Sequence, residues 1–414
     1  MTRYIYIGGS TQTDSGHRPD GIHVFRMDPA DGKLIHVQAV ESGPNPTFLA
    51  LSADRRLLFA VNETEDGAAS AFRVDPATGK LEFLNRVAVG GSSPCFLCPE
   101  PGGRWLLTAN YSSGSLSVLG VESSGRLGGL VQVVTHGGSS SDPRRVLSSR
   151  DEQGMLAEIH LPGAGSLPEG VRPDRQERAH AHCVMFDPSR NYVLAADLGQ
   201  DRVWVYRQGT DGRLSALSIE TAWTEYGWIG VDPDEAVLKE MPEGFGKPRS
   251  GHSLRPGAGP RHLAFHPNGK FLYVSTELAS TAAVFRWNAG AGELRPVQEI
   301  STLPEGYAGG NDVAHLAFTP DGRFLYVSNR GHNSLAAFSV DGETGLLEPA
   351  GHFSTQGRWP RNFCITPDGR FVLAANQESD SISIFRLDPR TGALEAAGEI
   401  IQVYRPMFVT AVDF

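Results

Sequence analysis

The sequence lacks the features that mark membrane-spanning, secreted and disulfide-rich proteins. No apolar run in its 414 residues approaches the length of a transmembrane helix. Residues 1–7 pass directly into strand-like alternation, without the apolar region of a signal peptide. The cysteines Cys95, Cys98, Cys183 and Cys364 are too few for a disulfide scaffold, and their context favours buried free thiols over a redox pair. We therefore predict a cytoplasmic protein.

Positive charge and helical periodicity are also scarce. The formal net charge of −10 argues against nucleic acid or an anionic membrane as a partner. An anionic substrate would need a local cluster of arginines to overcome this field. Apolar residues seldom follow a helical period, while glycine and proline recur at every connection. This pattern predicts an all-β protein.

What the chain does contain is a short apolar segment in six copies, roughly fifty residues apart. The copies are LLFAVN ending at Asn62, WLLTAN at Asn110, YVLAAD at Asp197, FLYVST at Thr276, FLYVSN at Asn329 and FVLAAN at Asn376. A turn of the Pro-Asp-Gly-Arg type precedes them, and a Ser-x-x-x-Phe-Arg strand and an Asp-x-x-Thr-Gly-x-Leu segment follow. Such a period indicates a repeat architecture in one closed unit.

The copy at 260–300 shows the repeating unit. Residues 261–266 form a predicted strand, 267–270 a turn, and 271–276, 280–287 and 292–300 three more strands. Four antiparallel strands in a repeat of this length describe one blade of a β-propeller. The N-terminal segment supplies the last three strands of a further blade, and residues 406–412 supply its missing first strand. We predict one domain over 1–414, a seven-bladed propeller closed by N- and C-terminal strands that share a blade.

Two repeats are longer than the others. The distance from Asn110 to Asp197 is 87 residues and that from Asp197 to Thr276 is 79, against 47 to 53 elsewhere. The extra residues fall near 139–172 and 221–257, and both insertions precede a first strand. Both are therefore expected on one face of the disc, where they could form a lid; for the first, disorder is an equal alternative.

Alignment of the repeats isolates two variable columns. The first contains Thr47, His182, Arg261, Ala314 and Arg361, and the second contains Glu63, Tyr111, Leu198, Glu277, Arg330 and Gln377. The start of the first strand and the end of the second meet at one end of their hairpin, so both columns should line the same mouth of the channel. The column of Asn62, Asn110 and their equivalents keeps one residue type, and we interpret it as capping of turns and loops.

The ionisable members of these columns fall in consecutive blades, which indicates a functional cluster. Each has a structural alternative. Arg261 could simply pair with Glu277 on its own hairpin, and His182 could be a buried histidine of the interior. His180 and His182 could hold a metal, although a clear third ligand is missing from the pattern.

Several runs around these positions closely resemble one family. They are His-Ala-His-Cys at 180–183, Gly-Pro-Arg-His-Leu-Ala-Phe-His-Pro-Asn-Gly-Lys at 259–270, Asn-Arg-Gly-His-Asn-Ser-Leu-Ala at 329–336 and Trp-Pro-Arg-Asn-Phe at 359–363. With Ala-Asn-Tyr-Ser-Ser-Gly at 109–114 and Pro-Asp-Arg-Gln-Glu at 173–177, nearly the whole chain resembles the seven-bladed lactonase family. Its members are the cycloisomerase-type 6-phosphogluconolactonases and the fungal 3-carboxy-cis,cis-muconate lactonizing enzymes.

The resemblance implies hydrolysis of a small anionic lactone or sugar phosphate, without a required metal or other cofactor. The leading substrate is 6-phosphogluconolactone, which places the protein in carbohydrate metabolism, in the pentose phosphate pathway. The implied catalytic residues are His182, Arg261, Glu277 and Arg330, and the candidate substrate-binding residues are Arg361, Tyr111, Asn110 and His180.

The roles follow from the chemistry of ester hydrolysis. We assign His182 as the general base, because an imidazole near its ordinary pKa suits the activation of water. Arg261 and Arg330 can stabilise the oxyanion or hold an anionic group. Glu277 either orients these groups or is itself the base.

Two positions depart from the family pattern. Phe96 stands where members often have His, and the run from His315 to Ala317 stands where they often have Glu-x-His. Two other functions therefore stay open. The same charges could close a carboxymuconate to a lactone, or the propeller could bind a metabolite or protein without turnover, with Phe96 and Ala317 marking a lost activity.

Overall fold

The computed structural model describes residues 1–13, 16–17, 20–137, 145–150, 156–160, 170–217 and 252–414. Within these residues the chain forms seven blades, each an antiparallel sheet of four main strands. The strands pair in sequence order in six blades, and in the seventh the C-terminal strand precedes the three N-terminal ones. The seven-bladed propeller predicted from the repeats is confirmed. The described residues contain a single helical segment, the 3₁₀ turn Gln377–Ser379.

The blades are numbered from the first complete repeat. Blade 1 consists of Leu49–Leu51, Leu57–Asn62, Ala68–Val74 and Leu81–Ala88. Blade 2 consists of Pro94–Pro99, Trp105–Asn110, Ser115–Val121 and Leu127–Thr135. Blade 3 consists of Ala181–Phe186, Val193–Asp197, Arg202–Gln208 and Leu214–Ala216, with the short strand His252–Ser253 added. Blade 4 consists of Pro260–Phe265, Phe271–Thr276, Thr281–Asn288 and Glu293–Ser301. Blade 5 consists of Asp312–Phe318, Phe324–Arg330, Ser334–Val340 and Leu347–Ser354. Blade 6 consists of Pro360–Ile365, Phe371–Asn376, Ser381–Leu387 and Leu394–Ala396, with the short strand Ile401–Gln402 added. Blade 7 consists of Pro406–Asp413, Arg3–Gly9, Asp20–Met27 and Leu34–Glu41. Short hairpins pair Gln12–Thr13 with Gly16–His17 and Arg145–Arg150 with Leu156–His160.

The core lies between neighbouring blades. The second strand of blade 4, Phe271–Thr276, is buried along its whole length, because blades pack against both of its faces. Residues of blades 4 and 5 form one apolar cluster, and those of blades 5 and 6 form the next. The outer strand Glu293–Ser301 contains only half-buried and exposed residues, as expected for a sheet edge that faces water.

A repeated hydrogen bond ties each of several blades to the next one. The bonds run from Tyr6 Oη to Gly79 O at 2.9 Å, from Tyr273 Oη to Gly345 O at 2.7 Å and from Tyr326 Oη to Gly392 O at 2.6 Å. Each acceptor is the glycine of an Asp-x-x-Thr-Gly-x-Leu segment. These glycines adopt positive φ angles that place the carbonyl toward the neighbouring tyrosine.

Both ends of the chain close the ring in blade 7. The strand Pro406–Asp413 pairs with Arg3–Gly9, as predicted. Arg3 Nε and Nη2 donate to the carboxylate of Asp413 at 2.6 and 2.8 Å, and Arg3 Nη1 contacts Asp368 of blade 6 at 3.1 Å. The buried guanidinium therefore joins the closing strand to the preceding blade.

Most of the two insertions lies outside the described residues, and so does the lid predicted from them. No helix in the described part of the chain is long and apolar enough to cross a membrane.

The inter-blade turns generate a stability prediction. A Cβ at Gly345, where φ is +82°, would lie 2.5 Å from Phe271 Cδ1, whereas a Cβ at Gly306, where φ is +79°, would meet no heavy atom within 4 Å. We expect Gly306→Ala to lower the free energy of unfolding by about 1 kcal/mol through backbone strain alone. Gly345→Ala adds an overlap with a buried ring and should cost about 3 kcal/mol in urea denaturation. Equal losses in the two variants would contradict this account of the turn.

Candidate active site

One opening at the centre of the ring collects residues from most of the blades. Five of the eight residues that line it occupy the same repeat position, the second residue of the first strand or its equivalent: Thr47, Cys95, Arg261, Arg361 and Met407. They come from blades 1, 2, 4, 6 and 7. Residues separated by more than 300 positions thus face one another, and three members of the first variable column, Thr47, Arg261 and Arg361, line this opening.

A repeated turn places the second column beside the first. The backbone N–H of Glu277 donates to Gly259 O at 2.7 Å, and that of Gln377 donates to Trp359 O at 3.1 Å. Gly259 and Trp359 both have a φ of +63° and both precede a proline. The chain reverses there, which brings residue 261 next to residue 277 and residue 361 next to residue 377.

The carboxylate of Glu277 is the centre of the site. Its Oε1 lies 2.6 Å from Arg175 Nη2, and its Oε2 lies 2.8 Å from Arg261 Nε and 2.9 Å from Arg330 Nη2. The N–H of Arg261 Nε is not aligned with the oxygen, so that contact is an ion pair without a well-formed hydrogen bond. Arg261, Glu277 and Arg330 are only 2%, 3% and 4% exposed, so little water screens these charges.

Burial and mutual charge act in opposite directions on this cluster. Burial alone would raise the pKa of Glu277, but the guanidinium groups of Arg330, Arg261 and Arg175 outweigh it and hold that pKa well below its ordinary value. Burial and the neighbouring Arg330 lower the pKa of Arg261 to about 9, which still leaves the guanidinium charged at neutral pH. Glu277 is therefore ionised and surrounded by cations.

Sequence reasoning missed Arg175 as a site residue. Its Nη2 also donates to Tyr111 Oη at 3.3 Å, so it joins the second-column residue of blade 2 to the central carboxylate. Burial lowers the pKa of Arg175, but Glu277 overrides this effect and raises it. The signal was present in the run Pro-Asp-Arg-Gln-Glu at 173–177, which lies outside the repeats and has no column to align with.

His182 lies beside this cluster and is also buried. Its Nδ1 is 3.7 Å from Cys95 Sγ, and its ring packs edge-on against Tyr111 and His262. Burial first, and then the charge of Arg261, hold the pKa of His182 well below its ordinary value. The expectation of an imidazole near its ordinary pKa is therefore wrong: His182 is neutral across the physiological range.

A short chain of hydrogen bonds fixes the orientation of Arg261. Its Nη1 lies 3.0 Å from His262 Nε2, and His262 Nδ1 lies 2.9 Å from His315 Nδ1. Because a guanidinium can only donate, His262 Nε2 must accept, which leaves the proton on Nδ1 and makes His315 Nδ1 the next acceptor. Both histidines are held neutral, since burial lowers the pKa of each.

Two residues predicted to bind the substrate, Asn110 and His180, have other roles in the structure. The amide of Asn110 is fully buried and satisfied by Thr108, Ser115 and Ser117, so it belongs to the frame of blade 2 and is not free for a substrate.

His180 stacks on Tyr111 at 4.4 Å, and its two ring nitrogens contact the Tyr111 carbonyl and Glu177. It positions Tyr111 and has no nitrogen left for a metal shared with His182. No group of three His, Cys, Asp or Glu side chains in the described ranges is placed to hold a metal ion.

The two departures from the family pattern, at Phe96 and Ala317, pack against different parts of the propeller. Phe96 packs at a tilt against Phe48 with ring centroids 4.1 Å apart and edge-on against His262 at 5.2 Å, so it forms part of the aromatic surroundings of His262. Ala317 packs into the apolar cluster between blades 5 and 6.

Comparison with known proteins gives a consistent result. A family model described as lactonase, 7-bladed beta-propeller, matches residues 4–227 and 238–411. The 6-phosphogluconolactonase of Bacillus subtilis (strain 168) is 32% identical over 365 residues, covering 88% of this chain and 85% of the relative. The solved structure of a periplasmic gluconolactonase from Pseudomonas aeruginosa has a TM-score of 0.78 at 30% identity, covering 100% of this chain and 99% of that one.

The central carboxylate generates a second prediction. Glu277→Gln leaves three guanidinium groups without their counter-charge, and we expect the free energy of unfolding to fall by about 3 kcal/mol. Glu299→Gln is the matched control, because Glu299 pairs with Arg255 at 2.8 Å in a largely exposed position. There the loss should stay below about 1 kcal/mol. Similar losses in the two variants, measured by denaturant titration, would show that the buried cluster does not depend on Glu277.

Proposed function

The chain belongs to the family of seven-bladed β-propeller lactonases, and we propose that it hydrolyses 6-phosphogluconolactone to 6-phosphogluconate. The observation that carries the proposal is the set of guanidinium groups held by one buried carboxylate beside a neutral imidazole. Such a set can bind an anion, stabilise an oxyanion and accept a proton at one opening.

The charge at the opening supports an anionic substrate. Arg261 and Arg361 line the opening. Arg175 and Arg330 lie behind Arg261, since all three contact Glu277, and Glu63 is bound by the lining residue Thr47. Four positive and two negative charges leave a local excess of two positive charges, in a chain whose net charge is −10. A cationic opening in an acidic protein attracts and retains anions.

In the proposed mechanism His182 activates the attacking water. Its Nδ1 faces Cys95, so Nε2 is the proposed proton acceptor. The hydroxide oxygen bonds to the lactone carbonyl carbon, and Arg261 and Arg330 stabilise the resulting oxyanion. The carbonyl carbon–ring oxygen bond then breaks, and the proton returns from His182 to the leaving alkoxide. Glu277 orients the arginines, because both of its oxygens already contact guanidinium groups.

We propose a distal role for two further residues. Arg361 lines the opening from blade 6 and is placed to bind the anionic group of the substrate. Tyr111, held by His180 and Arg175, is placed to bind a substrate hydroxyl. We also propose that the protein acts in the cytoplasm, in the pentose phosphate pathway.

Activity assays test this assignment. We expect His182→Ala to lower kcat/KM for 6-phosphogluconolactone by about 10²- to 10⁴-fold and Arg261→Ala by about 10²- to 10³-fold. His36→Ala, an exposed histidine of blade 7, is the control and should match wild type. Rates equal to spontaneous hydrolysis in wild type would overturn the proposal. Turnover of 3-carboxy-cis,cis-muconate alone would identify a lactonizing enzyme, and tight binding of 6-phosphogluconate without turnover a binding protein.

The lowered pKa of His182 gives a pH prediction. The base must be unprotonated, and burial with Arg261 shifts its pKa downward, so the acidic limb of the activity profile shifts downward too. With δ-gluconolactone, which carries no titrating phosphate, kcat/KM should stay level through about pH 6.5, the ordinary value for histidine, and fall only in more acidic buffer. A midpoint near that ordinary value would exclude buried His182 as the base.

A further inference from the structure

Blade 6 repeats the charged pair of blade 4 with one change. Arg361 occupies the position of Arg261, and Gln377 occupies that of Glu277. The registers agree, because Pro260 pairs with Thr276 and Pro360 pairs with Asn376, with the same bulge after each proline. Blade 6 therefore presents an arginine and a neutral amide where blade 4 presents an arginine and a carboxylate.

The change leaves two polar groups without protein partners. Arg261 is neutralised by Glu277, but no carboxylate of the described residues lies within ion-pair distance of Arg361, which is half-buried and lines the opening. Gln377 is only 9% exposed, and its Oε1 has no hydrogen-bond donor. A buried amide without a partner is costly, so a ligand that supplies the missing hydrogen bond would be favoured there.

We propose that Arg361 and Gln377 form the subsite for the anionic group of the substrate and its adjacent hydroxyl, and that the neutrality of Gln377 selects phosphorylated over uncharged lactones. The selectivity for phosphorylated lactones rests on the proposed hydrolysis, whereas the binding of an anion at this subsite does not. A glutamate at 377 would pair with Arg361 as Glu277 pairs with Arg261, and would repel the incoming anion. The amide instead leaves the charge of Arg361 available and can itself present either N–H or oxygen to the ligand.

Trp359 connects this subsite to the catalytic cluster. Its carbonyl oxygen accepts the N–H of Gln377, and its ring lies 5.4 Å from the guanidinium carbon of Arg330. Its φ is +63°, at a turn position where blades 1, 2 and 4 have Asn45, Ser93 and Gly259. That backbone conformation is unfavourable for a residue with a bulky side chain such as tryptophan, and strain of this kind is typical of functional sites. It fits a residue that positions Arg330 and Gln377 together.

The test is the variant Gln377→Glu, assayed with 6-phosphogluconolactone and with δ-gluconolactone. We expect KM for the phosphorylated lactone to rise by about tenfold or more, with kcat little changed, because a like charge is placed beside its anion. Values for the uncharged lactone should not move. Gln356→Glu adds the same charge at an exposed position on the preceding loop and should alter neither substrate. An unchanged ratio between the two lactones in Gln377→Glu would overturn the proposal.

Binding of 6-phosphogluconate by calorimetry separates this inference from the proposed reaction. Gln377→Glu and Arg361→Gln should each weaken binding by about tenfold or more. The double variant should bind more weakly than either single one, because its carboxylate at 377 repels the anion with no cation beside it. Thermal melts confirm that each variant is folded. If wild type binds this anion without hydrolysing the lactone, and both variants lose binding, the subsite stands and the proposed reaction fails. Full binding by both variants would refute the subsite.

Discussion

The site depends on a single buried carboxylate. Arg261 and Arg330 belong to neighbouring blades, Arg175 comes from the segment before blade 3, and all three contact Glu277 within 3 Å. Buried guanidinium groups this close would otherwise repel one another and favour an open ring. Glu277 therefore fixes both the orientation of the cations and the spacing of the blades that carry them.

The propeller separates what must be constant from what can vary. Tyrosine-to-glycine hydrogen bonds recur because blades must join their neighbours in the same way. Polar residues such as Asn110 and Asn376 recur because each holds the strands of its own blade together. The residues of the two variable columns, two in each blade, do not take part in these repeated bonds. Blade 4 uses them for an ion pair, blade 6 for an arginine beside an amide, and blade 3 for the imidazole of His182 beside an apolar residue. Chemical asymmetry thus arises on a symmetric backbone.

Much of this arrangement was predictable from the sequence, because it depends on features that are local along the chain. Strand alternation, turn residues and the repeat length predict the seven blades, and alignment of the repeats singled out Arg261, Glu277 and Arg330, which the structure brings into contact. Properties that depend on three-dimensional neighbours were not predictable. Arg175 lies outside every repeat, and the lowered pKa of His182 comes from burial and a cation of the next blade.

Sharing of blade 7 between the two ends of the chain has a consequence for biosynthesis. Arg3 and Asp413 are 410 positions apart in the sequence, so the strand pairing that closes the ring forms last and at a high entropic cost. Until the strand Pro406–Asp413 leaves the ribosome, the strand Arg3–Gly9 at one side and the sheet of blade 6 at the other remain uncovered. Nascent chains stalled short of that strand would expose pairing edges, and such chains are natural clients for chaperones during translation.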